Sequence, residues 1–212
     1  MTLQSDVLIH AGDLTNQGSL AELERIVSWL EKSEFEAKIV VAGNHDLTLD
    51  APFFREHKDK WKWPGRQDAE ACRRVLLEAP SITYLEHEAA TLYLTGAGTC
   101  LKVFGSPYSP GRRTWAFQYW GDDKAESLWE TREMDGADVV ITHTPATRGN
   151  GGCGEVDADA DSAVERAETL MVNAAFLSQR VAGQAPRFNK PIVIDVDLPL
   201  WRLDSEADSS VQ

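Results

Sequence analysis

The chain has 212 residues, enough for one sizeable domain or two small ones with a real core. Its apolar fraction of 42% and charged fraction of 26% are those of a globular protein. A formal charge of −13, from 34 acidic and 21 basic residues, argues against a nucleic-acid polymer or an anionic membrane as partner.

A polar stretch at 1–6 leads into the apolar run Val7–Ala11, which predicts a strand. Gly12 and Asp13 follow it directly. Ser19-Leu20-Ala21-Glu22 has the form of a capping box. Leu23, Ile26, Val27 and Leu30 continue at helical spacing and end near Lys32-Ser33. The run 37–42 predicts a second strand, so strand, helix and strand form a βαβ unit with a parallel pair. It delivers Gly43-Asn44-His45-Asp46 to its carboxyl end, where open α/β sheets collect ligands.

Residues 50–65 predict a short helix and a loop, and 67–78 a helix with Cys72, Val75 and Leu76 on one face. Short strands are expected at 82–85, 91–95 and 101–105, as an antiparallel second part of a sheet. A Pro/Gly loop at 106–111 and an aromatic stretch at 115–120 precede a helix at 125–133 and a strand at 137–142. That strand ends in Thr142-His143-Thr144-Pro145. The composition at 148–165 is that of a flexible connector rich in Gly, Ala and Asp. Glu155, Asp157, Asp159 and Asp161 lack the Gly and closing Glu of a calcium loop and read as solvated linker. Two last strands are expected at 170–175 and 192–196, and a disordered tail at 204–212. The expected organisation is thus a single domain over 1–203.

The chemistry concentrates at the three strand ends. Asp13 is a carboxylate able to bridge cations, and Asn44 offers a neutral oxygen ligand. His45 stands beside that ligand and suits proton donation, with Asp46 as the acid that would orient its imidazole. His143 is the nitrogen ligand. Arg112 and Arg113, on the Pro/Gly loop, are candidates for a substrate phosphate. His10 reads as packing or support, and His57 and His87 as solvated. Trp61, Trp63, Trp115 and Trp120 read as core or cleft wall. The three cysteines form no CxxC pair, so reduced thiols and a cytoplasmic setting are expected, with no signal or spanning segment.

Asp6-Val7-Leu8-Ile9-His10-Ala11-Gly12-Asp13, Val41-Ala42-Gly43-Asn44-His45-Asp46, Phe104-Gly105-Ser106-Pro107-Tyr108 and Ile141-Thr142-His143-Thr144-Pro145 together resemble the calcineurin-like metallophosphoesterases. Trp115-Ala116-Phe117-Gln118-Tyr119 resembles the metallophosphoesterase-domain (MPPED-type) branch, which includes cyclic-nucleotide phosphodiesterases. The resemblance covers most of 5–145 and resumes at 172–175 and 189–193. It implies an α/β fold of two mixed β-sheets packed face to face with helices outside, here without the first strand and part of the late region. It implies divalent-metal hydrolysis of a phosphomonoester or phosphodiester, with Mn, Fe, Zn or Mg as the ion.

The resemblance assigns Asp13 as the bridging carboxylate, Asn44 and His143 as ligands of the second metal, and His45 as general acid. The family's opening Asp-x-His and late Gly-His-x-His motifs have no counterpart, and no histidine follows His143. Of the implied ligands, only Asp13 remains for the first metal and three of four for the second. The expectation is therefore one ion rather than two, a small phosphate ester as substrate, and impaired activity. The alternatives are a non-catalytic relative that binds a nucleotide or a protein, or an incomplete gene model of an active enzyme.

Overall fold

The computed structural model describes residues 5–112, 114–144 and 192–201, and the backbone of 164–166 and 169–171. Two compact units divide the chain: Met1–Thr144 with Asp197–Gln212, and Pro145–Val196.

The first unit opens with β1 (Val7–Ala11), α1 (Leu20–Glu31) and β2 (Ala37–Val41). Ser19 and Glu22 close the expected capping box, so the helix starts where the sequence places it. β1 and β2 pair in parallel, with Ile9 opposite Ile39. α2 (Ala51–His57) and α3 (Ala69–Leu77) follow, then β3 (Ile82–Leu85). Asp50 and Asp68 cap these helices through Phe53 N–H and through Glu70 and Ala71 N–H.

β3 departs from expectation. It pairs in parallel with β2 and completes a sheet ordered β1-β2-β3, rather than opening the antiparallel part. The reason is the intervening helix α3, which supplies the crossover that a parallel connection requires. The antiparallel pair is β4 (Glu88–Leu94) with β5 (Thr99–Ser106), and β8 (Val139–Thr142) joins β5 in parallel. Between β5 and β8 lie the two-residue strands β6 (Ser109–Pro110) and β7 (Gln118–Tyr119) and the helix α4 (Asp122–Trp129).

The two three-stranded sheets face each other across one core. Ile39, Val41 and Leu85 come from the first sheet, and Leu94, Leu101, Val103 and Ile141 from the second. On the opposite face of β1-β2-β3, the helices bury Leu23, Leu30, Phe53, Cys72 and Leu76 against Val40 and Tyr84. β2 is therefore buried along its whole length. Even Lys38 is covered, and its ammonium donates to Ser81 Oγ at 3.2 Å.

In the second unit, β9 (Val164–Arg166) and β10 (Thr169–Met171) form an antiparallel pair. The expected connector lies almost entirely outside the described residues, as does the tail at 204–212. Residues 192–196, expected as a strand, have no regular secondary structure. Among the described residues, no helix is long and apolar enough to cross a membrane.

The sheets approach tightly at Gly105. A Cβ there would stand 2.7 Å from Leu85 Cβ and 2.8 Å from Val41 Cγ1, inside the normal limit of contact. Gly105→Ala is expected to lower stability by about 1–3 kcal/mol, as overpacked cores do. Urea unfolding of the two proteins side by side checks this.

Candidate functional site

Three strand ends converge, and two glycines let them. Gly12 has φ 101 and turns the chain sharply out of β1. A Cβ at Gly12 would fall on His143 Nδ1 and 2.9 Å from the Ala42 carbonyl. A Cβ at Gly43 would fall on Asp13 N and Oδ1 and 2.6 Å from His143 Cε1. Asp13 itself is held at φ 53, a left-handed conformation that costs free energy for any residue with a side chain.

His143 continues β8, its N–H donating to the Ser106 carbonyl at 3.2 Å. Its Nδ1 lies 2.9 Å from the Ala11 carbonyl, which can only accept, so Nδ1 carries the proton. In the neutral ring Nε2 is then a lone pair. It faces Asn44 Oδ1 at 2.9 Å and Asp13 Oδ1 at 3.3 Å. Three acceptor atoms thus meet: His143 Nε2, Asn44 Oδ1 and Asp13 Oδ1. A cation satisfies all three at once, so this donor set suits a divalent metal. The sequence-assigned ligands Asp13, Asn44 and His143 are brought together. Among the described residues no group of three His, Cys, Asp or Glu side chains is placed to hold a metal ion; this trio is an Asp, an Asn and a His.

His45 N–H donates to Asp13 Oδ1 at 3.1 Å, and its Nδ1–H to the Asn16 carbonyl at 2.9 Å. Its ring packs against Trp115 with centroids 4.4 Å apart. Asp46 does not orient it, contrary to the reading from sequence. Asp46 is fully buried and accepts from Leu14 N at 3.1 Å, Thr15 N at 2.9 Å, Thr15 Oγ1 at 2.7 Å and Gly43 N at 2.7 Å. Both its oxygens are taken by main-chain donors of two loops and by the Thr15 hydroxyl, so it acts as a brace. Burial pushes its carboxyl up to about 6, although these hydrogen bonds pull the other way.

Arg112 lies over the exposed Trp120 ring, 4.9 Å from its centre, and none of its described contacts reaches the strand-end cluster. Arg113 lies outside the described residues. His10 is largely covered, and burial holds its imidazole below the usual range. His57 and His87, expected to be solvated, are both engaged. His57 stacks on Phe53, while His87 bonds Ser106 Oγ and the Leu128 carbonyl, each at 3.0 Å. Sequence reasoning missed Asn16 as the partner of His45. It acts through its main-chain carbonyl, which every residue has, so composition carries no signal for it.

The family model for calcineurin-like phosphoesterases matches residues 2–170. The chain belongs to the calcineurin-like phosphoesterase family. It is 32% identical over 146 residues to human metallophosphoesterase domain-containing protein 1, covering 66% of this chain and 42% of that protein. A UPF0046 protein of Caenorhabditis elegans is 35% identical over 144 residues, 66% of this chain and 44% of its own length. These relatives support the metallophosphoesterase-domain branch of the family. A probable rhamnogalacturonate lyase C of Emericella nidulans is 41% identical over 140 residues, 66% of this chain but 12% of that protein. The chain therefore spans less than half the length of each of these three relatives.

The brace has a measurable consequence. Asp46→Ala leaves buried donors on both loops unpaired and is expected to lower stability by about 3 kcal/mol or more. The folded-state pKa of about 6 lies above the ordinary aspartate value of 3.8, so the folded chain binds this proton more tightly. The associated stabilisation is complete below pH 3.8 and is lost as pH rises through about 6. In chelator, wild type is expected to lose up to about 3 kcal/mol relative to Asp46→Asn across that window. Denaturant unfolding of both proteins at several pH values reads the difference.

Proposed function

We propose that this chain is a metal-dependent phosphoesterase that hydrolyses a small phosphomonoester or phosphodiester, with one cation held by Asp13, Asn44 and His143. The observation that carries the reading is the meeting of three lone-pair donors. His143 Nε2 stands 2.9 Å from Asn44 Oδ1 and 3.3 Å from Asp13 Oδ1, with its other nitrogen committed to the Ala11 carbonyl. A divalent cation bound there would supply positive charge to phosphoryl oxygens.

The chain's own residues do the rest. Gly12 and Gly43 leave the room at the strand ends that the His143 ring and Asp13 occupy. As general acid, His45 is the doubly protonated ring, which keeps Nδ1–H on the Asn16 carbonyl and passes the Nε2 proton to the leaving oxygen. Asp13 has two tasks, accepting from His45 N–H and facing His143 with the same oxygen. Ligand and acid are thus registered to each other by one carboxylate. A cytoplasmic setting belongs to the proposal and is supported by the free thiols of Cys72 and Cys100.

One feature favours a second reading, a non-catalytic relative that binds a nucleotide or a protein. The late Gly-His-x-His motif of the family resemblance has no counterpart between His143 and Asn173, where no histidine occurs. The two readings separate by experiment. With Mn²⁺ and bis(p-nitrophenyl) phosphate, wild-type turnover is expected to be weak. Asn44→Ala is expected to abolish Mn²⁺ binding in calorimetry. His45→Asn is expected to retain it while lowering turnover by about 10²–10⁴-fold. Tight Mn²⁺ binding without turnover would decide for the binding module. Equal loss of metal in both variants would make His45 a ligand instead of an acid.

A further inference from the structure

We propose that Trp115 is a positioning residue that sets the plane of the His45 imidazole and so aims its free nitrogen; the proposal rests on the phosphoesterase reading of the site. The hydrogen bond from His45 Nδ1 to the Asn16 carbonyl fixes one atom of the ring. It leaves the ring free to swing about that point. The second restraint is the Trp115 indole, with ring centroids 4.4 Å apart and planes tilted by 36°. Trp61 backs the indole from 4.8 Å, at 58°.

The loop that carries Trp115 is itself anchored. Gln118 Oε1 accepts from Thr114 N at 3.1 Å and Trp115 N at 3.2 Å. Phe117 sits at φ 53 and donates its N–H to Asp50 Oδ2 at 2.8 Å. Ala116 and Phe117 are buried in the helix-side core, and Asp50 is the N-cap of α2. Trp115 is therefore presented by a braced turn, with both neighbours of its ring defined. Fixing one atom and one plane determines where Nε2 points, and misplacement of a proton donor by about 1 Å costs on the order of 10²-fold in rate.

The test combines spectroscopy with kinetics. In wild type the His45 ring protons are expected to be shifted upfield by the indole ring current in NMR. Trp115→Leu should remove that shift, and Trp115→Phe should keep its direction. With Mn²⁺ and bis(p-nitrophenyl) phosphate, Trp115→Leu should lower kcat by about 10- to 100-fold with KM and Mn²⁺ affinity within about twofold, and Trp115→Phe should restore most of it. In a His45→Asn background, Trp115→Leu should cost little further, because its target is gone.

Unshifted His45 protons in wild type would overturn the proposal. So would an equal kinetic loss from Trp115→Leu in the His45→Asn background. If the ring-current shift is present and wild type shows no turnover, the phosphoesterase reading fails while the placement of His45 by Trp115 stands.

Discussion

The Asp46 carboxylate is the point on which the strand ends depend. Its two oxygens take main-chain N–H groups from the loop after β1 and from the loop after β2, and the Thr15 hydroxyl as well. Parallel strands place Asp13 and Asn44 near one another, but they do not set loop conformation. The brace does, and it is fully buried, so water does not compete for its bonds. Further contacts extend it: Thr15 Oγ1 accepts from Gly18 N at 2.7 Å, and Glu22 accepts from Asn16 N at 3.1 Å. Asn16, held in this way, receives His45.

The site joins both sheets. Asp13 and Asn44 leave β1 and β2 of the first sheet, and His143 leaves β8 of the second. The shared core of Ile39, Val41, Val103 and Ile141 sets the spacing between them. Small residues at the crossing, Gly12, Gly43 and Gly105, allow approaches that any Cβ would block. Burial energy and the geometry of the strand ends are therefore coupled here. A side chain added at these glycines would push apart the sheets or the strand-end residues Asp13 and His143.

Much of this was legible in the sequence, and the limits have physical causes. β1, α1 and β2 were readable because apolar periodicity and a capping box agree. The convergence of Asp13, Asn44 and His143 was readable because each follows an apolar run that ends at the same edge. The partner of β3 was not, since strand pairing depends on the crossover path as well as on the strand's own residues. The role of Asp46 was not legible either. A carboxylate beside a histidine reads as its partner, yet Asp46 reaches the main chain of residues 14, 15 and 43. Trp115 read only as core or cleft wall, because stacking on His45 depends on a turn built by Gln118 and Asp50.

The central claim is that Asp13, Asn44 and His143 share a single cation. Anomalous diffraction at the manganese edge from crystals of this chain grown with Mn²⁺ tests it most directly. The account predicts one peak, within bonding distance of Asp13 Oδ1, Asn44 Oδ1 and His143 Nε2. No peak at that position, or two peaks bridged by Asp13, would contradict it.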